Sequence, residues 1–303
     1  MRTVTRQPGV GSEAQTAREI IGLVGLGLLG SGIGERLLAH GFGVKGFDLD
    51  ASRLQAFGEL GGQVAANAGE VIAGCRRVVL SLPDSAAVEA VIEAAAPHFR
   101  QGQVLIDTTT GAPAAAEAAG RSLAARGVAY LDAAICGNSA ELRRGEVLVV
   151  AGGPAQAFEA CQDLFATFAR RSWHLGDWGA GSKMKLITNL VLGLNRAVLA
   201  EGLAFAEALG LDSELALTVL RESSSYSRVM DLKGRKMLER DFAPQARLSQ
   251  HLKDVRLMLE AAAKAGAKLP LSEFHRQLLE QAEAAGLGAL DNSAIIEVFR
   301  RRT

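Results

Sequence analysis

Apolar and polar positions fall into blocks along this chain, and the period of the blocks changes near residue 179. Before that point short apolar runs recur: Ile20 to Val24, Val44 to Phe47, Arg77 to Leu82, Val104 to Asp107, Val128 to Ile135 and Val147 to Ala151. Runs of this length, mostly closed by Gly, Pro or Asp, read as buried strands. Helix-period segments lie between them, with Leu29, Ile33 and Leu37 spaced by four in the first. The others run over 51–60, from Pro83-Asp84 to about Ala96, from near Pro113, and from about Ala155 to Phe168; Val64-Ala65 reads as a short strand. Strands alternating with helices predict a mostly parallel, doubly wound α/β sheet, whose ligands sit outside the carboxyl ends of the strands.

From Gly179 to about Gly210 almost nothing breaks a helix, and Ala, Leu and Glu dominate. At 1.5 Å per residue this predicts about 45 Å of helix. Further helices are expected over 214–222, 226–238, 248–265, 271–284 and 292–302. No strand pattern follows Trp173-His174-Leu175.

The first apolar run leads into Gly25-Leu26-Gly27-Leu28-Leu29-Gly30, a Gly-x-Gly-x-x-Gly turn between strand and helix. Gly25 permits the tight turn, Gly27 lets the backbone approach a pyrophosphate, and Gly30 lets helix and strand pack closely. The helix start favours the phosphate charge. Asp48 closes the next strand, where this fold places an acid for the ribose hydroxyls. The expected plan is therefore a Rossmann-type doubly wound sheet followed by an all-helical second domain joined by a long helix. Residues 1–18 would be a flexible lead-in, 19–178 the dinucleotide-binding domain, and 179–303 the all-helical domain.

Composition narrows the partners. The 33 basic and 33 acidic residues cancel, which speaks against nucleic acid or an anionic membrane. No apolar run reads as long enough to span a bilayer. Three distant cysteines (75, 136 and 161) suit a reducing compartment, and the first eighteen residues lack a signal-like apolar region, so a cytoplasmic protein is expected. The five histidines, at 40, 98, 174, 251 and 275, have no metal-ligand spacing, and no metal is expected.

Candidate chemistry lies on the long helix. Lys185 and Asn189 are four apart and share a face, whereas Lys183 points nearly the opposite way. A lysine beside an amide could hold a substrate oxygen and move its proton; on spacing alone a solvated surface lysine is the blander reading. Lys253-Asp254 sits inside a helix, where such pairs are usually solvated, and Cys136 follows a strand as a buried thiol often does.

With these motifs the chain resembles the β-hydroxyacid dehydrogenase family over about residues 20 to 300. The resemblance rests on the Gly25–Gly30 turn, the Leu82-Pro83 strand end and Asp107-Thr108-Thr109-Thr110-Gly111-Ala112-Pro113. It continues through Gly179-x-Gly181-x-x-x-Lys185-x-x-x-Asn189 and His251-Leu252-Lys253-Asp254-Val255. It implies Lys185 as catalytic acid/base, Asn189 as its substrate-orienting partner, and Lys253 near the nicotinamide. Leu82, Pro83 and Thr110 would line the cofactor site.

The implied activity is NAD(P)-dependent interconversion of a small hydroxy acid and its aldehyde or keto acid, in a homodimer or homotetramer. Decarboxylating relatives carry a glutamate two turns past the lysine; here that position is Leu192. Rival readings are an imine reductase, which usually lacks lysine at position 185, and a non-enzymatic cofactor-binding scaffold. Asp48 without a basic residue directly after it predicts a preference for NAD, with NADP possible. One motif departs: the family's Asp-Ala-Pro-Val-Ser-Gly-Gly substrate loop is here Asp132-Ala133-Ala134-Ile135-Cys136-Gly137-Asn138. A thiol donates more weakly than a hydroxyl, while Asn138 adds an amide, so an altered substrate is expected.

Overall fold

The computed structural model describes residues 19–300; the expected lead-in over 1–18 and the last three residues lie outside the described residues. The first half runs β1 (Ile20–Val24), α1 (Leu28–Ala39), β2 (Gly43–Phe47), α2 (Ala51–Glu59), β3 (Gln63–Val64), α3 (Ala68–Gly74), β4 (Arg77–Leu80), α4 (Ser85–Ala94), β5 (Val104–Asp107), α5 (Pro113–Ala124) and β6 (Ala129–Cys136). It closes with α6 (Ser139–Arg143), β7 (Val147–Gly152), α7 (Ala155–Glu159), α8 (Gln162–Phe168) and β8 (Ala169–His174). The strands form one sheet in the order β3-β2-β1-β4-β5-β6-β7-β8. Its first six strands follow the Rossmann order, in which the chain reverses direction across the sheet between β1 and β4.

All pairings are parallel except β6 with β7. The connection there, residues 137–146, is too short for a parallel crossover, which takes a dozen or more residues. The expected helix from Ala155 to Phe168 is two helices instead. At the break the Ala160 carbonyl accepts from Arg77 Nη1 (2.9 Å), and the same guanidinium bonds Asp163 on the first turn of α8. Helix α3 was not foreseen, because seven residues are too few to show a period; the Asn67 side chain caps it by accepting from the Glu70 N–H (2.9 Å).

The second half is helical: α9 (Ala180–Ala208), α10 (Ser213–Glu222), α11 (Arg228–Glu239), α12 (Leu248–Ala265), α13 (Pro270–Ala284) and, after a 3-10 turn, α14 (Ile296–Arg300). Its core gathers Leu199 and Leu203 of α9 with Leu217, Met237, Leu252 and Leu279 of the surrounding helices. Each such side chain contributes about 1.5–3 kcal/mol by leaving water. Helix α9 corrects one expectation. By length and composition it could cross a membrane, and 44% of its most apolar window is buried inside the molecule.

Candidate active site

The turn after β1 is a backbone cradle. Gly25 has φ +94°, and a β-carbon there would stand 2.3 Å from the Ser81 carbonyl oxygen. One on Gly30 would stand 2.0 Å from the Gly25 carbonyl oxygen, so α1 closes onto the turn only without a side chain at that position. Gly27 differs, since a β-carbon there would meet only Arg53 Nη1, at 3.9 Å. The turn is thus open where a pyrophosphate would approach, which fits a dinucleotide. Asp48 follows β2, is nine-tenths buried, and accepts from the N–H groups of Leu26 (2.6 Å) and Asp50 (2.9 Å). The neighbouring strand ends are tied together as the Leu82 N–H donates to Thr109 Oγ1 (3.1 Å).

The start of α9 is welded to the sheet. Asp132, midway along β6, accepts from the N–H groups of Gly179 (3.2 Å) and Ser182 (2.8 Å), covering orphan donors of the helix end. Burial pushes its carboxyl above the ordinary value, while those N–H groups oppose the rise. A β-carbon on Gly181 would lie 2.1 Å from the Asp132 carbonyl oxygen, so only glycine lets the helix come this close. One turn on, Lys185 is 8% exposed and Asn189 7%, both on the inner face. Lys183 leaves the other side and pairs with Glu117 (2.9 Å) on the surface.

Helix α12 supplies the facing groups. Asn189 Nδ2 donates to Asp254 Oδ2 (2.9 Å), an amide held by a buried carboxylate. Lys253 Nζ donates to the carbonyls of Pro83 (2.9 Å) and Thr110 (2.8 Å), bolting α12 to the loops after β4 and β5. The same ammonium stands 3.4 Å from Asp254 Oδ1 without hydrogen-bond geometry, so this contact is electrostatic. Burial raises the Asp254 carboxyl, and Lys253 and Lys185 pull it down. The Lys253-Asp254 pair is therefore not the solvated pair that a helix position suggests.

The loop after β6 is committed partly to its own architecture. Thr188 Oγ1 donates to the Lys185 carbonyl (2.9 Å), which leaves the Cys136 thiol as donor in its 3.5 Å contact with Thr188 Oγ1. Asn138 Oδ1 accepts from the Ala140 (2.9 Å) and Glu141 (3.0 Å) N–H groups, capping α6. Its amide oxygen is thereby taken by the fold, contrary to the expectation that the whole amide faces a ligand. Gly137 lies between them, and a β-carbon there would press on Val147 at 2.6 Å.

The structure thus gathers the candidates into two groups. Gly25 to Gly30 and Asp48 line the turn after β1, and Leu82, Pro83 and Thr110 sit at the adjacent strand ends, with Lys253 reaching them. Lys185 and Asn189 share the inner face of α9, and Cys136 touches Thr188 between them in sequence. Three residues here are given no role by the sequence reading: Asp254, whose partner is 65 positions away; Thr109; and Arg53, which reaches back to Asp48. The sequence names Asp254 within the His251–Val255 stretch, and its spacing of three from His251 and four from Met258 puts it on the buried face of α12. Among the described residues no group of three His, Cys, Asp or Glu side chains converges as a metal site.

Comparison with known proteins places both halves. A family described as the NAD binding domain of 6-phosphogluconate dehydrogenase matches residues 20–176. One described as NAD-binding of NADP-dependent 3-hydroxyisobutyrate dehydrogenase matches 179–299. An L-threonate dehydrogenase from Cupriavidus necator is 34% identical over 92% of this chain and 95% of its own. A 2-(hydroxymethyl)glutarate dehydrogenase from Eubacterium barkeri is 31% identical over 93% and 95%. The crystal structure of a 3-hydroxyisobutyrate dehydrogenase from Salmonella typhimurium superposes with a TM-score of 0.86 at 26% identity, covering 92% of this chain and 99% of that one.

Proposed function

The chain belongs to the β-hydroxyacid dehydrogenase family, and from that premise we propose how its site works and what it selects. It is an NAD(P)-dependent oxidoreductase that interconverts a small hydroxy acid and the matching aldehyde or keto acid. When bound, the nicotinamide supplies the hydride chemistry. Lys185 takes the substrate hydroxyl proton in oxidation and returns it to the alkoxide oxygen in reduction. Its ammonium also steadies the charge that develops on that oxygen. The observation that carries this reading is the burial of Lys185 beside Asn189, whose amide Asp254 orients. With one N–H given to Asp254, Asn189 keeps its carbonyl oxygen and second N–H for substrate. Retention of Lys185 favours a hydroxy acid over an imine, and its placement favours an enzyme over a scaffold.

NAD is the preferred cofactor, because the Asp48 carboxylate accepts from ribose hydroxyls and repels a 2′-phosphate. The substrate is a more polar acid than 3-hydroxyisobutyrate, supported by the Nδ2 group of Asn138, the half of that amide not used to cap α6, and by the threonate-named relative. The division into two domains at residue 178, a cytoplasmic setting, and the absence of nucleic-acid and membrane partners belong to the same proposal. So does a homodimer or homotetramer, supported by the apolar outer face of α9, where Ile187, Val191, Val198 and Phe205 are exposed.

A panel of hydroxy acids and aldehydes, read by cofactor absorbance in both directions, tests the substrate. L-threonate and its relatives should be turned over faster than 3-hydroxyisobutyrate. The double change Cys136→Ser with Asn138→Gly should shift selectivity toward 3-hydroxyisobutyrate by about several-fold, the net scale of one hydrogen bond. Unchanged selectivity in that variant would mean that the loop does not choose the substrate.

A further inference from the structure

A polar cluster lies behind Asn189, where α9, α12, α13 and the 3-10 turn before α14 meet. Gly193, one turn past Asn189 on α9, forms its floor. A β-carbon there would stand 2.4 Å from His251 Nε2 and 2.9 Å from His275 Cε1. The two imidazoles lie beside each other, with ring centroids 5.3 Å apart. Arg196 stands three residues further along α9, and helical side chains lean toward the N-terminus, so its guanidinium reaches back toward Gly193. It is only 2% exposed.

Arg196 Nε and Nη2, His251 Nε2, His275 Nε2, Asn292 Oδ1 and Asp254 Oδ1 are all buried and have no hydrogen-bond partner among the described residues. Buried polar groups are seldom left in that condition, because the loss of hydration goes uncompensated. Nε and Nη2 form the edge of a guanidinium that matches a carboxylate. Arg143, Arg240 and Arg300 each give that edge to a glutamate, whereas Arg196 gives it to no side chain among the described residues. Burial pulls the Arg196 guanidinium down to about 10 while Asp291 and Asp254 oppose the fall, so it is a cation at neutral pH. Burial, joined by the Arg196 charge, holds His251 well below the ordinary value and His275 at about 4, so both rings are neutral.

The cluster thus joins a cation, two rings that each donate and accept, and two oxygens that only accept. A small anion would satisfy the donors and be repelled by Asp254. Water serves both kinds at once, and a buried water needs two to four such partners. Asp254 Oδ1 is the oxygen left over when Oδ2 holds Asn189. We propose that Arg196 is a positioning residue of the reaction: through water held between its guanidinium and Asp254 Oδ1, it keeps that carboxylate ionised and aligned to orient Asn189. The inference rests on the substrate role given to Asn189 above.

Reduction of the aldehyde or keto acid is the direction to measure. Lys185 must then start protonated, so its titration sets the alkaline limb of kcat/KM and the acid limb is left to Asp254. Around that carboxylate stand Lys185 and Arg196 of α9, His251 and Lys253 of α12, His275 of α13, and Asp291 with its partner Lys233. Arg196→Met keeps the bulk and removes the charge. It should lower kcat by about tenfold, the scale of a hydrogen bond to a charged group, with NADH affinity unchanged. The acid limb should move up by about one pH unit, because losing a nearby cation favours the protonated carboxyl. Arg196→Lys should restore most of the limb and part of the rate. In an Asp254→Asn background, Arg196→Met should cost less than about twofold more, because the group it acts on is gone. A high-resolution crystal structure of the wild-type protein should show water bonded to both Arg196 and Asp254, a result that does not depend on how well Arg196→Met folds. The proposal is overturned if Arg196→Met keeps the wild-type rate and acid limb, if its effect is as large in Asp254→Asn, or if the cluster is dry. A wild-type protein that turns over no hydroxy acid, aldehyde or keto acid would discard the function itself, whereas lost coupling with turnover intact would discard only the role of Arg196.

Discussion

The two walls of the site are built by opposite means. The wall at the ends of β1 and β4 is main chain, shaped by glycines whose missing β-carbons let carbonyls and helix close in. The wall on α9 and α12 is side chain, assembled from an amide, two ammonium groups and a carboxylate. The backbone wall is largely one short turn, Gly25 to Gly30, closed by the end of β4. In the other wall Asn189 and Asp254 are 65 residues apart, and Lys253 reaches Thr110 across 143. A backbone wall should therefore fail through steric overlap and take cofactor binding with it. A side-chain wall should fail group by group, losing chemistry or alignment while the fold remains.

The sharpest test of that contrast is Lys185→Ala. Turnover should fall by at least about a hundredfold, the scale of positioned acid–base catalysis, with NADH affinity nearly unchanged. Lys183→Ala removes only a surface pair with Glu117 and should keep most activity. A dispensable Lys185 with an essential Lys183 would reverse the assignment of the helix face. Gly30→Ala is the mirror experiment. Its β-carbon has no room, so stability should drop by about 1–3 kcal/mol, as for other overpacked sites, and NADH affinity should fall with it. Normal NADH binding in a stable Gly30→Ala protein would remove the steric account of the cradle.

Lys253→Met tests the bolt between the walls. It keeps the apolar stem and loses the bonds to Pro83 and Thr110, so kcat/KM should fall by about tenfold, the scale of hydrogen bonds to a charged group. The pH profile set by Lys185 should stay in place; a displaced profile would mean that Lys253 acts on the proton itself.

The smallest effect concerns Asp107 at the end of β5, which accepts from the Tyr130 hydroxyl (2.7 Å) and the Thr109 N–H (2.9 Å). Burial pushes its carboxyl up to about 6. Its folded value lies above its unfolded one, so its contribution is complete below about pH 4 and is lost as pH rises through 6. Relative to Asp107→Asn, the wild-type melting temperature should therefore decline by a few degrees between pH 4 and 7. Parallel melting curves for the two proteins across that range would contradict the raised value.

The same contrast explains what the sequence discloses. The strand runs, the glycine turn and the long helix are legible because each depends on local period and on contacts between near neighbours. The reversal between β6 and β7 follows from a short connection rather than from an apolar pattern. The split at Ala160 depends on a guanidinium more than eighty positions away. At the site, Lys185 and Asn189 are readable as one helix face, but spacing does not tell a buried face from a wet one. Pro83, Thr110 and Lys253 are separate in the sequence, and the fold makes them one contact. Asn138 is the instructive case, since a residue that differs from the family pattern serves largely to cap α6.

Asp132 turns α9 into a ruler whose zero mark is the sheet. Both carboxylate oxygens grip the first turn of the helix, and Lys185 is read off three residues beyond Ser182. A single residue inserted in that interval would carry the ammonium about 100° around the helix axis, from the cleft toward solvent. The same insertion past Asn189 would leave both groups in place and disturb only the packing beyond. Tolerance to insertion along this helix should therefore rise abruptly after Asn189.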